Sequence, residues 1–233
     1  MKDEKIIIRL AELADVEEIE LLEKAVWQEF PASAEKISSR IKIFPKGSIL
    51  AIEKETGRII GYLSIMLVDQ EAEEFSHSWD GITANGKITN HNPNGKYMYG
   101  VNLTVAKGCS AGLELQIYAW ATIAIGMNRR GCFLGSPMPG FAVYKAKHPE
   151  VSAEDYALRL KRKGKPFDPE LAYYESAGFK ALRVLEDYEP DSKSLNYGVL
   201  VYCRNIFYNW PCRWLIAWLV KKFGFKLLKK LGV

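Results

Sequence analysis

No Cys-x-x-Cys pair occurs in the 233 residues, and the four cysteines, Cys109, Cys132, Cys203 and Cys212, stand far apart. That spacing excludes zinc-ribbon and dithiol redox motifs. So few cysteines in a chain of this length cannot build a disulfide framework, which points to a reducing compartment, the cytoplasm. Histidine is scarcer still. His77, His91 and His148 share no metal-ligand spacing, so no metal site is expected. No apolar run reaches the roughly 18 residues of a membrane-spanning helix. The apolar stretch after Lys5 is too short for the core of a signal peptide. Acidic residues are missing altogether from 205–233, where Arg213, Lys221, Lys222, Lys226, Lys229 and Lys230 carry +6. The net charge of +4 therefore leaves −2 for the remainder. A mildly acidic body with a basic end does not fit a nucleic-acid binder, which spreads positive charge over its fold.

Apolar material, by contrast, is plentiful. Hydrophobic residues make up 48% of the chain and charged residues 26%, enough for a substantial core and ordinary for a globular protein. Ile6-Ile7-Ile8-Arg9-Leu10 is a β-branched run and reads as a strand. Asp15 caps a pattern of Val16, Ile19, Leu22, Val26 and Trp27, whose spacing predicts a helix running to about Phe30. A second helix with Ile37 and Ile41 ends before Pro45. Ile49 to Ile52 and Ile59 to Val68 form a hairpin about Glu55-Thr56-Gly57-Arg58. The polar stretch from Gln70 to Lys96 is a long insertion, of a kind that is commonly functional in compact domains. Tyr97 to Val105 is the next strand. Leu115, Tyr118, Ala119, Thr122 and Ile125 then recur at helical spacing between Gly112 and Arg130.

Cys132 to Leu134 is a short buried strand, and a second insertion runs from Ser136 to about Phe167 with the basic run Lys161-Arg162-Lys163, read as a solvated helix face. Pro169 opens a short helix ending at Gly178, and Phe179 to Leu185 and Tyr197 to Tyr202 are the last strands. Strands and helices so interleaved argue for an α/β (α+β) domain over 1–204, a mixed sheet with helices on its faces. The basic, Trp-rich segment 205–233 follows as a tail.

Three patches carry a resemblance. The strand Val101-Asn102-Leu103-Thr104-Val105 leads through Gly108-Cys109-Ser110-Ala111-Gly112 into a helix. Tyr174-Glu175-Ser176-Ala177-Gly178-Phe179 matches a Y-E-x-x-G-F pattern, and "GSPMPGF", "FDPEL" and "YEPDSKSLNYG" lie between Phe133 and Gly198. Together they resemble the GNAT (Gcn5-related N-acetyltransferase) family, specifically a subgroup sometimes fused to carbon–nitrogen hydrolases. The resemblance covers roughly Ile6 to Cys203 and implies a mostly antiparallel central sheet of about seven strands flanked by helices.

That resemblance implies an acyl-CoA-dependent N-acyltransferase, using acetyl-CoA or a longer acyl-CoA and releasing coenzyme A, with a small-molecule or peptide amine as acceptor, or a lipid-linked one if the tail brings the enzyme to a membrane. The implied cofactor-binding residues are Leu103, Thr104 and Val105 on the strand, then Cys109, Ser110, Ala111, Gly112 and Leu113 at the turn. Unpaired amides and the helix dipole favour a diphosphate there. The family's [QR]-x-x-G-x-[GA] pattern is incomplete, since Cys109 and Glu114 stand at its first and last positions. Strand amides beside a splayed neighbour would hold the carbonyl oxygen. Tyr174 corresponds to the acid that protonates the departing thiolate, with Tyr173 beside it as the alternative. Glu71, Glu73, Glu74, His148, Glu186, Asp187 and Asp191 all lie near loops, and spacing does not select a base among them. The incomplete turn also fits a catalytically silent GNAT-fold binding module.

In the tail, Asn209-Trp210-Pro211 opens a helix that is apolar on every side from Trp214 to Val220. Lys222, Lys226, Lys229 and Lys230 cluster on one face, with Phe223, Leu227, Leu228 and Leu231 beside or across from them. Two readings stay open. Trp214, Leu215 and Trp218 dock on the domain or on a second copy as a homodimer, or the tail lies on a membrane surface.

Overall fold

A seven-stranded sheet organises the computed structural model, which describes residues 5–27 and 29–224. Strands β1 (Ile6–Leu10), β2 (Ser48–Glu53), β3 (Ile59–Val68) and β4 (Tyr97–Val105) pair antiparallel in that order. β5 (Gly131–Pro137) then runs parallel to β4, and β9 (Gly198–Arg204) and β8 (Lys180–Leu185) complete the sheet antiparallel. These seven are the strands that the sequence predicts. A separate two-residue hairpin, β6 (Lys161–Arg162) and β7 (Lys165–Pro166), carries the basic run. Left-handed Lys163 and Gly164 make its turn, so Lys161-Arg162-Lys163 lies on an exposed hairpin and not on a helix face.

The alternation of β2, β3 and β4 sorts two cores onto opposite faces of the sheet. Helices α1 (Val16–Val26) and α2 (Ala34–Ile43) bury Ile19, Leu22, Ile37 and Ile41 against Leu50 and Tyr62. On the other face α4 (Gly112–Ala119) buries Ala111, Leu115 and Ala119 against Ile49, Ala51, Leu63 and Ile65. α1 stops at Val26, short of the predicted Phe30, because Trp27 takes an extended conformation. The long helix expected from Gly112 to Arg130 ends its regular part at Ala119. A π-helical turn, Trp120–Ile125, follows, and Thr122 Oγ1 donates back to Tyr118 O (2.7 Å) within it. The widened turn changes the periodicity. Ile123 and Ala124 join the sheet core, while Ala121 and Ile125 face the C-terminal helix.

Both insertions are ordered. The first holds a short helix, α3 (Trp79–Thr83), and Arg183 of β8 ties its start down by donating from Nε to Ala72 O (3.0 Å). The second holds α5 (Phe141–Lys147) and a π-helical turn, Asp155–Arg159. It leads into α6 (Pro169–Ser176), whose N-cap Asp168 accepts from the amides of Glu170 (2.9 Å) and Leu171 (3.3 Å).

The C-terminal helix α7 (Arg213–Phe223) begins after left-handed Asn209 and Cys212, three residues later than the sequence suggests. It docks through Ile216, Ala217 and Val220 onto Ala121, Ile125, Ile117 and Phe207. The docking face is therefore not the expected one. Trp214, Leu215 and Trp218 point away from the domain and are 72%, 41% and 51% exposed. Lys226, Leu227, Leu228, Lys229, Lys230 and Leu231 lie outside the described residues.

Candidate active site

β4 and β5 stay paired only from Met98↔Cys132 to Gly100↔Leu134. Beyond that point β4 continues along β3 while β5 follows β9, so the two strands splay and leave a gap in the middle of the sheet. The backbone facing the gap follows from the ladder. Ala106 N–H donates to Ile60 O (2.9 Å), and pairs run back through Thr104↔Tyr62 and Asn102↔Ser64. Alternate residues of an antiparallel strand bond to the same neighbour. Asn102 and Thr104 thus spend their amides on β3, and Leu103 and Val105 turn theirs toward the gap. The Val101 carbonyl, in the same phase, accepts from Trp79 Nε1 across it (3.1 Å).

A groove of about 2330 Å³ fills the splay and reaches both faces of the sheet. On the α4 side it is walled by Leu113, Glu114, Ile117 and Trp120, and by Lys222 and Phe223 of α7. The first-turn amides of α4 have no intrahelical acceptor, as at any helix start. Gly112 sits over Leu103 and Val105 with ordinary contact room, a Cβ there lying 3.7 Å from Val105 Cγ2. Of the residues implicated by sequence in cofactor binding, Leu103 and Leu113 line the groove. Val105, Cys109, Ser110 and Gly112 lie in and around the turn behind them, and Ala111 is buried in the core. Thr104 faces away, toward α1. Its hydroxyl accepts from Trp27 Nε1 (2.7 Å) and donates to the buried carboxylate of Glu23 (2.5 Å). Glu23 also accepts from Asn102 Nδ2 (2.8 Å) and Ala32 N (3.2 Å). This satisfied network fixes β4 beneath α1.

Across the splay, α6 brings Tyr174 into the groove wall. Asp168 anchors the helix, its second oxygen accepting from Gly140 N (3.0 Å) and Tyr156 OH (3.1 Å). The Tyr174 ring rests edge-on against Phe179, 5.6 Å between centroids. Burial first, and then the neighbouring Glu170 carboxylate, hold the Tyr174 phenol well above its usual pKa. Tyr173 also lines the groove but is more exposed. Behind both, Tyr188 closes the wall over β5, where only a glycine fits: a Cβ on Gly135 would lie 2.3 Å from the Tyr188 ring.

Glu170 escaped the sequence reading. It stands four residues before Tyr174, one helical turn away on the same side, and lines the groove. Burial pushes its carboxyl up to about 7, helped by the negative charges of Asp168, Glu189 and Asp191. Glu189 is raised for the same first reason. Of the base candidates drawn from the loops, only Asp187 and Asp191 reach the groove. Asp191 is occupied in capping the amides of Lys193 (3.2 Å) and Ser194 (3.0 Å). Glu71 accepts from Tyr97 OH (2.8 Å), and His148 stacks on Tyr144 at 4.4 Å. The signal that marks Glu170 is the i, i+4 interval to Tyr174, visible in the sequence once the tyrosine is singled out.

Known proteins were then compared with this chain. It is 31% identical over 218 residues to the protein named Uncharacterized N-acetyltransferase YkwB of Bacillus subtilis (strain 168), across 89% of this chain and 92% of that one. The chain belongs to the GNAT N-acetyltransferase family. A second relative, Probable hydrolase YhcX of the same organism, is 30% identical over 210 residues. The match takes in 88% of this GNAT chain and 40% of that protein, in keeping with the resemblance to a hydrolase-fused GNAT subgroup. Among solved structures, the GphF GNAT-like decarboxylase in complex with isobutyryl-CoA superposes with a TM-score of 0.70 at 21% identity, over 85% of this chain and 98% of that one. That likeness shows the GNAT fold. No protein-family model matches the sequence.

Proposed function

We propose that this GNAT acyltransferase moves an acetyl or longer acyl group from acyl-CoA to the primary amine of a small molecule or peptide, in the cytoplasm. The observation that carries the reading is the splay itself, a groove passing between β4 and β5 with strand amides on one wall and Tyr174 and Glu170 on the other. Its two mouths lie on opposite faces of the sheet, so donor and acceptor can meet from opposite sides. The residues on the α4 side fit coenzyme A. The helix start offers unpaired amides to a diphosphate, Lys222 adds a cation, and the volume exceeds the several hundred Å³ of ordinary ligand sites. Glu114, exposed in the first turn, must turn away from that anion.

Bound acyl-CoA supplies an activated thioester carbonyl and a thiolate leaving group. The Leu103 and Val105 amides face the place where negative charge grows on that carbonyl oxygen. Glu170, half protonated near neutral pH, takes a proton from the incoming ammonium. Tyr174 keeps its own proton throughout the neutral range, and in this reading it gives that proton to the thiolate.

Calorimetric titration with acetyl-CoA and with coenzyme A tests the reading directly, followed by an amine screen with free-thiol detection. Absence of heat and of thermal shift at millimolar ligand would leave a silent binding module. A second, additive reading concerns the tail. Trp214 and Trp218, 72% and 51% exposed, form with Lys222 an aromatic and basic face of α7 suited to an anionic membrane surface, while Lys221 Nζ sits over the Tyr118 ring (4.4 Å). No described helix is long and apolar enough to cross a membrane. A homodimer joined through this same face would set lysines against lysines, which disfavours it. Flotation with anionic liposomes, with and without residues 206–233, decides between surface binding and its absence.

A further inference from the structure

Arg40 is the largest side chain that the domain buries fully, at 1% exposure. Among the described residues no carboxylate lies within 4.0 Å of its guanidinium. Its Nε donates to Gly86 O (2.7 Å), and its Nη1 has no hydrogen-bond partner among the described residues. A buried guanidinium left in this way costs stability, and native structures rarely keep one without a purpose. The surroundings are built to hold it in place. Gly86 is left-handed (φ +73°), and a Cβ there would lie 2.6 Å from the Trp79 ring and 3.0 Å from Arg40 Nη2. Only a glycine lets the insertion close this tightly on the arginine. Arg40 belongs to the wall of the groove on the α1–α2 face, beside Trp79 and Lys36. Lys36 Nζ sits 5.6 Å over the Trp79 ring. Two cations and an aromatic plane thus stand on the face opposite the α4 turn, in a wall that also holds Glu29 and Asp80.

We infer that this end is an oxyanion pocket, so that the amine acceptor carries a carboxylate or a phosphate which pairs with the Arg40 guanidinium while its amino group reaches the splay. This rests on the acyltransferase reading and narrows its substrate class. A guanidinium presents a planar fork of donors that suits a carboxylate or phosphate far better than a neutral group. Its dry setting leaves an entering oxyanion with few competing waters. A neutral amine of the same shape forfeits that charge pairing.

The test is a set of matched acceptors at saturating acetyl-CoA, with thiol release as readout. Amino acids are compared with their decarboxylated amines, as in phenylalanine against phenethylamine, and O-phosphoethanolamine with ethanolamine. The expected result is a KM lower by roughly tenfold or more for the oxyanion-bearing member of acylated pairs. The carboxylate and phosphate arms show which oxyanion is taken. Arg40→Gln abolishes the preference by raising the KM of the oxyanion-bearing member to that of its neutral partner. Arg40→Lys, which keeps the charge, retains part of it. The inference is overturned if neutral partners are used as well or better, if no oxyanion-bearing amine turns over while acetyl-CoA binds, or if a folded Arg40→Gln keeps the preference. The wild-type comparison needs no variant, so misfolding of Arg40→Gln does not remove the test. Failure of acetyl-CoA to bind is a separate result and overturns the acyltransferase reading instead.

Discussion

Tyr174 and Glu170 share one side of α6, yet burial acts on them in different ways. The phenol is neutral in water at pH 7 and desolvation only makes it more so, whereas the carboxyl is carried from its ordinary value of 4.5 to about 7. One group is left holding a proton and the other is left poised to accept one. Tyr174→Phe is expected to lower kcat by about 100-fold or more while acetyl-CoA affinity, measured by calorimetry, moves less than about twofold. An unchanged kcat would assign the ring to packing alone. For Glu170 the sign is worked out from linkage. The folded state keeps the proton up to about pH 7 and the unfolded chain releases it near 4.5. In that window the native state binds more protons, so stability falls as pH rises through it. Glu170→Gln should therefore raise Tm more at pH 8 than at pH 4.5, and should remove the ascending limb centred near pH 7 from the kcat/KM profile. A limb that survives the substitution would move the base elsewhere. Tyr174 was legible because a glycine-ended motif surrounds it. Glu170 was not, since its altered acidity comes first from burial and then from Asp168, Glu189 and Asp191, and both are tertiary facts.

Elements were easier to read than their ends. All seven strands of the main sheet follow from β-branched runs and turn residues, because a half-buried pleat imposes its alternation on the chain. Helix limits depended on particulars that periodicity does not record. Left-handed Cys212 delays α7 to Arg213, and a π-helical turn interrupts the predicted helix after Ala119. The same turn decides which face of α7 docks. Apolar residues ring the helix from Trp214 to Val220, so sequence could not choose between faces, and the choice falls to Ala121 and Ile125 on the widened turn. Val220, 1% exposed in that contact, should not tolerate charge. Val220→Asp is expected to cost about 3 kcal/mol or more in denaturant unfolding. The double substitution Trp214→Ser, Trp218→Ser should stay within about 0.5 kcal/mol, since both rings are outside the core. If the exposed face serves a lipid surface, that stable double variant is also the one that no longer floats with anionic liposomes.

At the scale of the whole molecule the sheet is two sheets joined by a short seam. β1 to β4 carry α1, α2 and α4, while β5, β9 and β8 carry α6 and the second insertion, and three ladder pairs join the halves across β4 and β5, beside the Arg183 bond from β8 to the first insertion. The seam could not be foreseen from strand patterns, because splaying leaves each strand's own alternation untouched. It also means that a ligand in the groove contacts both halves and adds to what holds them together. Binding to the native state alone contributes RT ln(1 + [L]/Kd), about 2.7 kcal/mol at a hundredfold excess over Kd. For a domain of this size that corresponds to a rise in Tm of roughly 5 to 10 °C. Acetyl-CoA should produce it, and the rise should grow with the logarithm of concentration. Lys222, on the helix that walls the α4 mouth, contributes a screened surface charge to that affinity. Lys222→Glu is therefore expected to weaken acetyl-CoA by about two- to fivefold at low salt and by less at high salt, leaving the ligand-free Tm unchanged. A Kd indifferent to this reversal would place the diphosphate away from α7 and confine its partners to the amides of the α4 turn.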